Sequence, residues 1–237
     1  MGCHAVKTMR IVTWNANMAF RKKQRILIER LDPDVAFIQE CEHPNKFKEN
    51  LFPYTIWKGE NKNKGIAVFS KYEIIELNEK SPLSRLYVLF KINGIFFIGI
   101  WAMDDKEKPL NRYIAQVWNI INDYNGLLNN EIVILGDFNW NIIWDKSKRY
   151  SLAGDFRDVN SMLNNYNIES VYHHHFNEDF GGEKKPTYFH TKKEDKSYHT
   201  DYIFLKKNTI DNLKEFFVGQ HDEWIKCSDH MPLLIEI

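Results

Sequence analysis

Residues 131 to 140 have the sequence E-I-V-I-L-G-D-F-N-W, in which two polar side chains follow closely on a short apolar segment. Asp137 and Asn139 are two residues apart, so their side chains point to the same side if the extended conformation continues. A carboxylate and a carboxamide at the rim of a hydrophobic sheet could hold a hard cation and orient a water molecule or a phosphoryl oxygen. Glycine, aspartate and asparagine are also common at ordinary strand-to-turn junctions. This segment alone leaves both interpretations open.

The same arrangement occurs at four other places, where polar residues adjoin predicted apolar strands. They are Asn15 after Trp14, Glu40 after Ile38, His199-Thr200-Asp201-Tyr202 at the start of one strand, and Ser228-Asp229-His230 before the last strand. Polar side chains at so many strand ends are expected to meet where the edges of the sheets converge. We therefore predict a single cleft.

Oxygen donors dominate this set, which favours a hard metal ion. Glu40 and Asp229, with Asn15 nearby, would give Mg²⁺ oxygen ligands and leave positions for water and a phosphate oxygen. Zinc fits less well, because Cys41 and Cys227 are not spaced as a pair of ligands. We expect Mg²⁺, with Mn²⁺ as an alternative ion.

The other candidates suit acid and base chemistry at a phosphate ester. Asp137 could orient or deprotonate an attacking water molecule. His230 could stabilise the charge that develops on pentacoordinate phosphorus, while Asp201 holds its ring and favours the imidazolium form. Asn139 would position the water or the phosphate without adding negative charge.

Length and charge set limits on the class of protein. The chain has 237 residues, 43% of them hydrophobic and 14% aromatic, which is enough to bury a core of ordinary density. We expect one domain at residues 10 to 237, after an N-terminal extension of residues 1 to 9. Lysine plus arginine and aspartate plus glutamate each number 32, so the formal net charge is zero. This balance disfavours tight nonspecific binding of nucleic acid but allows an enzyme with a local basic rim.

Cysteine usage and hydropathy indicate the compartment. Cys3, Cys41 and Cys227 form an odd number without metal-type spacing, which favours free thiols in a reducing compartment. Residues 1 to 14 contain no apolar segment of signal-peptide length, and no later segment approaches the length of a membrane span. We expect a cytoplasmic protein with no membrane contact, and no pattern indicates an obligate protein partner.

Strands and helices alternate along the chain in a mixed order. Apolar or alternating segments predict strands at residues 10 to 14, 35 to 38, 55 to 58, 65 to 70, 74 to 77, 86 to 92, 95 to 101, 132 to 135, 168 to 171, 187 to 190, 202 to 205 and 232 to 237. Helical spacing or composition predicts helices at residues 21 to 31, 45 to 50, 110 to 124 and 156 to 166. Asn93-Gly94 predicts a tight hairpin, and Gly136 is expected to let the backbone turn as it leaves the sheet. These elements predict a mixed α/β sandwich.

Five short motifs occur in the order found in the endonuclease/exonuclease/phosphatase superfamily. They are W-N at residues 14 and 15, Q-E at 39 and 40, G-D-F-N at 136 to 139, H-T-D-Y at 199 to 202 and S-D-H at 228 to 230. From about residue 10 to residue 237 the chain resembles this superfamily. The resemblance implies an α/β fold of four layers, with two packed mixed β-sheets flanked by helices. It also implies Mg²⁺-dependent hydrolysis of phosphate esters.

The resemblance further implies a role for each polar residue of the motifs. Glu40 would be the metal ligand, and Asp137 would orient the water molecule. His230 and Asp201 would form the catalytic pair. Two supporting amides and one further acid, at the metal or beside the histidine, would complete the site: Asn15, Asn139 and Asp229.

Three further residues are candidates for contact with the substrate. Trp101 stands where many relatives carry tyrosine or histidine, and an indole offers only an N–H donor. His199 stands where members that repair abasic sites often carry arginine, so a permanent charge is replaced by a titratable one. Arg112 could reach a phosphate from its helix or form a surface ion pair.

Other segments have two interpretations each. The basic residues Arg21-Lys22-Lys23 and Arg25 could contact a nucleic-acid backbone or form a solvated helix face. His173-His174-His175 in a strand would alternate sides and could not all bind one metal ion. The aromatic residues at 186 to 189, together with Trp101, could line a base or sugar, or pack in the core.

We expect a Mg²⁺-dependent phosphodiesterase, and a nuclease that acts on DNA is the first candidate. The alternative is a phosphatase or phosphodiesterase for a small ester, such as an inositol phosphate, a phospholipid head group or a nucleotide. A binding module that retained the fold and lost turnover is a third hypothesis, and the filled catalytic positions argue against it.

Overall fold

The computed structural model describes residues 8 to 77, 81 to 147 and 151 to 237. Its strands are β1 (Arg10–Asn15), β2 (Val35–Cys41), β3 (Tyr54–Asn61), β4 (Lys64–Ser70), β5 (Ile75–Leu77), β6 (Tyr87–Ile92), β7 (Ile95–Trp101), β8 (Ile132–Asp137), β9 (Ile168–Ser170), β10 (Tyr188–Phe189), β11 (Ser197–Tyr198), β12 (Asp201–Lys206), β13 (Glu215–Val218) and β14 (Leu233–Glu236). Its α-helices are α1 (Gln24–Leu31), α2 (Ile114–Asp123), α3 (Phe156–Asn164), α4 (Val171–Phe176), α5 (Lys207–Ile210) and α6 (His221–Trp224). None of these helices is long and apolar enough to cross a membrane.

Twelve of the strands form two mixed sheets of six. The first has the order β13-β14-β1-β2-β4-β3, and the second has the order β5-β6-β7-β8-β12-β9. In each sheet one neighbouring pair is parallel, β1 with β2 and β7 with β8, and the other pairs are antiparallel. The strands β10 and β11 form a separate two-stranded ribbon.

The two sheets pack face to face over a shared apolar core. Phe37 of the first sheet lies against Gly99 of the second, where a side-chain Cβ would come within 2.6 Å of the ring. Helices α2 and α3 cover the outer face of the second sheet, and α1 and α6 cover the outer face of the first. This arrangement confirms the predicted four-layer α/β sandwich.

Most predicted strands are present, and the hairpin at Asn93-Gly94 is confirmed. Both of its residues have positive φ, 50° and 88°, as a tight two-residue turn between twisted strands requires. Gly136 does not end its strand, because β8 continues to Asp137. Its φ is 138°, and a Cβ atom at this position would overlap the carbonyl oxygen of Ile100, so only glycine fits.

Several predicted elements are wrong or shifted. Residues 45 to 50 do not form a helix, since only a single 3₁₀ turn occurs at Pro44–Lys46. The helix predicted from residue 110 begins at Ile114, because Tyr113 has φ 53° and ψ −126° and cannot be helical. The helix predicted from residue 21 begins at Gln24, after a 3₁₀ turn. Strand β13 and the short helices α5 and α6 were not expected.

The N-terminal boundary also differs from the prediction. Residues 1 to 7, including Cys3, lie outside the described residues. Met9, which was assigned to the extension, packs in the core and exchanges two backbone hydrogen bonds with Ile237, of 2.9 and 3.1 Å. Ordered structure therefore starts before residue 10.

Candidate active site

Strand ends from both sheets meet at one end of the sandwich. In the second sheet Trp101, Asp137 and Asp201 lie side by side on neighbouring strands, since Asp137 is the register partner of both others. In the first sheet Asn15 at the end of β1 pairs with Gln39 of β2, next to Glu40. The amide Nδ2 of Asn15 donates to Asp137 Oδ2 at 3.0 Å and so joins the two sheets. The polar side chains at these strand ends therefore converge, as the prediction of a single site requires.

Asp137 is fully buried and held by three donors. Its Oδ1 accepts the backbone N–H of Asn139 at 2.8 Å, and its Oδ2 accepts the side-chain amides of Asn15 and Asn139 at 3.0 and 3.3 Å. The Asn139 amide also donates to the carbonyl of Ala102 at 3.0 Å. Asn139 has φ 51°, so the extended conformation does not continue past Asp137. The two side chains still meet, because the chain folds back onto the carboxylate.

Beside Asp137, the ring of His230 lies between two carboxylates. Its Nδ1 is 2.9 Å from Asp201 Oδ2, and its Nε2 is 4.0 Å from Asp137 Oδ2. The hydroxyl of Thr187 accepts the backbone N–H of Asp201 at 3.0 Å, and the Ser228 hydroxyl accepts the N–H of His230 at 3.0 Å. Both members of the pair are thus fixed by buried hydroxyl groups.

Mutual electrostatics set the protonation of this group. Burial disfavours a charged His230, but the negative charges of Asp201 and Asp137 outweigh burial and raise the pKa of His230 to about 10 from 6.5. Burial and the charge of Asp201 raise the pKa of Asp137 to about 7 from 3.8, although the imidazolium and the Asn15 amide act in the opposite direction. At neutral pH the site therefore contains a fixed imidazolium next to a carboxyl that can exchange a proton.

Glu40 reaches the same cleft from a strained position. It lies in a β-bulge between Gln39 and Cys41 and has φ 56°, a left-handed conformation that costs a glutamate on the order of 1 to 3 kcal/mol. Its carboxylate is 3.5 Å from the Asn15 amide and 3.2 Å from the ammonium of Lys64. Such strain is typical of functional sites, and this bulge turns the carboxylate towards Asn15.

The described residues contain one compact group that could hold a metal ion. Asp137, Asp201 and His230 offer ligand atoms that all lie within 4.8 Å of one another. Glu40 and Asp229 lie outside this group. The side chain of Asp229 is half-buried. Its negative charge contributes to the raised pKa of His230, so the Asp229 carboxylate lies near the His230 ring.

The three residues that were predicted to contact the substrate differ in their burial and in their contacts. Trp101 is buried and lines a concavity of about 140 Å³ together with Lys64, whose ammonium lies 4.9 Å from the indole ring. Arg112 forms an ion pair of 3.2 Å with Asp104, as the alternative interpretation expected, so its contact with substrate stays a prediction. His199 corrects the prediction, because it is only 2% exposed and its Nδ1 lies 3.0 Å from the carbonyl oxygen of Lys185.

His199 is also uncharged. Burial lowers its pKa to about 4 from 6.5, so it cannot replace the phosphate-binding arginine of other sequences at neutral pH. Its ring instead packs against Tyr172, with the ring centroids 4.3 Å apart. His199 therefore supports the backbone that leads into Asp201.

The three consecutive histidines lie in a helix and not in a strand. The strand predicted at residues 168 to 171 is confirmed as β9, except that its last residue, Val171, begins α4. The histidines belong to α4, and their ring nitrogens have separate partners: His173 contacts Glu183 at 3.1 Å, and His174 contacts Glu169 at 2.8 Å. A shared metal ion would require their ring nitrogens to converge. The prediction that they do not share one stands, although for a different reason.

The aromatic segment and the basic segment are mostly engaged within the protein. Phe189 packs in the core, whereas Tyr188 lies against His230 with ring centroids 4.6 Å apart. Arg21 pairs with Glu42 at 2.6 Å and Arg25 with Glu49 at 2.7 Å. The side chains of these two arginines therefore serve local structure.

Sequence reasoning missed two residues that complete the site. Lys64 gives Glu40 a cationic partner, and Thr187 holds the N–H groups of Thr200 and Asp201. No motif marks either residue. They reach the site through the pairing of β3 with β4 and of β10 with β11, which short-range sequence patterns do not reveal.

Comparison with known families settles the class of this site. The family model described as "Endonuclease/Exonuclease/phosphatase family" matches residues 12 to 230. The chain belongs to this family. Members of the Endonuclease/Exonuclease/phosphatase family hydrolyse phosphoester bonds and depend on a divalent metal ion, so the chain is a phosphoester hydrolase, as the motifs predicted.

Solved structures of similar fold include other members. A 3′ phosphatase, NExo, from Neisseria bound to product DNA hairpin has a TM-score of 0.68 and 18% identity, and the 3′-5′ exonuclease NExo from Neisseria meningitidis has a TM-score of 0.70 and 17% identity. An AP endonuclease from Archaeoglobus fulgidus has a TM-score of 0.68 and 15% identity. Each alignment covers 96% of this chain and 98% of the other. A search of curated protein sequences finds no match.

Proposed function

We propose that this phosphoester hydrolase is a Mg²⁺-dependent nuclease that cleaves phosphodiester bonds in DNA. The observation that carries the proposal is the position of the buried His230 ring, whose Nδ1 lies 2.9 Å from Asp201 and whose Nε2 lies 4.0 Å from the carboxyl of Asp137. A general base works best when its pKa lies near the working pH, and Asp137 has a pKa of about 7. An adjacent cation suits the negative charge that develops on a phosphoryl group.

The donors near Glu40 fit a hard divalent ion. Glu40 already balances positive charge, from the Lys64 ammonium at 3.2 Å, and Asn15 adds an amide beside it. Glu40 and Asp229 would hold Mg²⁺, or Mn²⁺ in its place. Asn15 would add a ligand oxygen only after its amide rotated, because its Nδ2 faces Glu40 and its Oδ1 accepts the N–H of Asn17. When bound, the ion supplies polarisation of a phosphoryl oxygen. The compact group with His230 is a poorer site for a hard ion, because it offers an imidazole nitrogen in place of an oxygen and its Asp201 oxygen already bonds to the His230 ring at 2.9 Å.

The residues of the chain have separate roles in the reaction. Asp137 accepts the proton of the attacking water, and the amides of Asn15 and Asn139 keep its carboxylate in one orientation. His230 faces the phosphoryl group with its Nε2 proton, while Asp201 holds the ring by its Nδ1 proton. Each of these groups acts in a fixed position, so little reorganisation is needed during the reaction.

Two considerations support DNA as the substrate. Among proteins of similar fold, one was captured with a product DNA hairpin, and two others are described as a 3′-5′ exonuclease and an AP endonuclease. In this chain, Lys64 and Arg85 line the concavity beside Trp101, where the phosphates of a strand would compete with the paired acids Glu40 and Glu107 for these two cations. Buried and neutral His199 argues against the phosphate contact that an arginine makes at this point in repair of abasic sites.

A small phosphoester is the second candidate substrate, and the charge distribution favours it. The net charge is zero, and the guanidinium groups of Arg21, Arg25 and Arg112 form ion pairs with acids of the chain. Fewer free cations weaken the attraction to a long polyanion. An inositol phosphate, a phospholipid head group or a nucleotide would need only the contacts near the cleft.

One panel of substrates tests these proposals. Purified protein is incubated with Mg²⁺, Mn²⁺ or a chelator and with single-stranded, duplex, abasic and 3′-phosphorylated DNA, RNA, and the small esters named above. We expect metal-dependent cleavage of DNA that is lost in Asp137→Asn and His230→Gln. If the protein turns over only the small esters, the second candidate substrate replaces DNA in the proposal. Activity that persists in both variants would come from a contaminant and would refute the site.

We also propose that residues 10 to 237, together with Met9, which packs in their core, act as one domain in a reducing compartment such as the cytoplasm. The core shared by the two sheets supports the first point. The free thiols of Cys41 and Cys227 support the second. Size-exclusion chromatography with limited proteolysis tests the domain assignment, since a second domain would be released as a stable fragment.

A further inference from the structure

Lys23 belongs to the basic segment, but its ammonium group points into the protein. Its Nζ donates to three backbone carbonyl oxygens, those of Ala16, of Asn17 at 3.3 Å and of Met18 at 2.8 Å. An ammonium group has three N–H donors, so these contacts use its full capacity. Lys23 is therefore poorly placed to bind a phosphate group of a substrate.

The loop that Lys23 binds has an unfavourable backbone. Asn17, Met18 and Ala19 have φ values of 46°, 64° and 53°, which places three successive residues in the left-handed region without a glycine. Each such residue is disfavoured by contact between its Cβ and its own backbone. A left-handed turn brings successive carbonyl groups together, and without a cation between them their dipoles would repel one another. Lys23 supplies that cation.

The same loop sets the orientation of a residue in the active site. The backbone N–H of Asn17 donates to Asn15 Oδ1 at 3.0 Å, which turns the amide nitrogen of Asn15 towards Asp137 and Glu40. If the loop relaxed, the Asn15 amide could rotate and present its oxygen to the two carboxylates. Asp137 would then lose one of its three hydrogen-bond donors.

We propose that Lys23 is a positioning residue, whose ammonium holds the left-handed turn at residues 17 to 19 so that the Asn15 amide points at Asp137 and Glu40. The expected effect of Lys23 on catalysis rests on the proposed function. Its expected effect on structure rests only on the contacts within the loop. Lys23 acts through Asn15 and contacts neither substrate nor metal.

The test compares Lys23→Ala with a matched control. Lys71→Ala also removes an ammonium bound by protein oxygens, those of Asp32 and Asp34, at the opposite end of strand β2. On a DNA oligonucleotide we expect kcat of Lys23→Ala to fall by roughly 30-fold to 100-fold with KM unchanged, and Lys71→Ala to keep both values. A raised KM with unchanged kcat would make Lys23 a substrate contact and overturn the proposal.

Chemical rescue distinguishes an effect of hydrogen-bond donation by Lys23 from an effect of its charge alone. Methylammonium can enter the space left in Lys23→Ala and donate three N–H groups, whereas tetramethylammonium at equal ionic strength has the same charge and no donor. We expect methylammonium to restore kcat by about tenfold and tetramethylammonium to restore nothing. Equal rescue by both ions, or rescue by neither, would contradict the proposal. Lys23→Arg should recover little activity, because a planar guanidinium cannot point at three converging carbonyls.

Two measurements do not require turnover. In ¹⁵N NMR spectra of Lys23→Ala, the side-chain amide signals of Asn15 should shift, and methylammonium should restore them. If Lys23→Ala does not fold, proton exchange in the wild-type protein tests the proposal. The Lys23 ammonium protons should exchange with water more slowly than those of exposed Lys48. Equal exchange would refute the proposal. If the wild-type protein cleaves no phosphoester, the proposed function fails, while these signals still test the loop.

Discussion

Replacing Asp201 by asparagine tests how the active site keeps His230 charged. A pKa of about 10 in place of 6.5 means that the surroundings favour the imidazolium by roughly 5 kcal/mol, at about 1.4 kcal/mol for each factor of ten. The Asp201 carboxylate, 2.9 Å from Nδ1, is the largest favourable contribution. Asp201→Asn keeps the size of the side chain and removes its charge, so we expect the pKa of His230 to fall by about 1 to 3. With the ring less charged and less well oriented, kcat/KM should fall on the order of a thousandfold.

Imidazole ¹⁵N NMR titration measures this directly. Wild-type His230 should keep imidazolium chemical shifts up to about pH 9, and Asp201→Asn should begin to titrate at lower pH. Because the folded pKa is raised, protonated His230 stabilises the fold fully below about pH 6.5, and this contribution is lost as the pH rises towards 10. Asp222→Asn, an exposed acid, serves as the control. A wild-type His230 that titrates near pH 6.5 would refute the reasoning.

Three other predictions test the backbone, the metal site and a buried acid. Gly136→Ala should lower the free energy of unfolding by at least about 3 kcal/mol in chemical denaturation, because its Cβ would overlap a carbonyl oxygen of the neighbouring strand, whereas Gly126→Ala, in open space, should change it little. Lys64→Ala should raise the affinity for Mn²⁺ in calorimetry, since it removes a cation that competes for Glu40, and a weaker affinity would contradict this. Glu183 has a pKa lowered to about 2, so its ionised form stabilises the fold above about pH 5 and this contribution is lost as the pH falls towards 2. Glu183→Gln should therefore lose roughly 2 kcal/mol at pH 7 and less at pH 3, and a loss that is equal at both pH values would show that this carboxylate does not act through its charge.

Apolar patterning predicted most of the strands, whereas the resemblance to the superfamily implied two packed sheets. Residues 132 to 135 are buried on both faces, as a continuous apolar segment indicates, and Asn93-Gly94 fixed the hairpin between β6 and β7. Because polar side chains at strand ends must share the rim of such a sandwich, the predicted cleft followed from the same pattern. The order of the five motifs along the chain gave the resemblance to the superfamily.

Elements held by long-range contacts were predicted less well. Residues 45 to 50 have one apolar side chain, Phe47, which packs against the core, and a single such residue does not provide the apolar face that stabilises a helix. The segment Val171–Phe176 resembles a strand in composition but is a helix, in which Tyr172 packs against His199. Leu110 begins a helical pattern yet remains 56% exposed, because the helix starts only after the unusual backbone at Tyr113.

Within the active site, residue types were easier to predict than their contacts. Asn15, Asp137, Asp201 and His230 are brought together as expected, and their roles in catalysis stay predictions. His199 was assigned to the substrate because a histidine at that position can carry charge. Its burial, which depends on the packing of α4 and of the loop before β10, removes the charge, and no local pattern encodes it.

A crystal structure with Mn²⁺ and a short DNA oligonucleotide carrying a non-hydrolysable linkage tests the central claim most directly, because anomalous scattering locates the ion. The account predicts one Mn²⁺ peak at the carboxylate of Glu40, with a phosphate group between that ion and the Nε2 atom of His230 and a water molecule beside Asp137. A phosphate bound elsewhere, with the ion away from Glu40, would contradict the account.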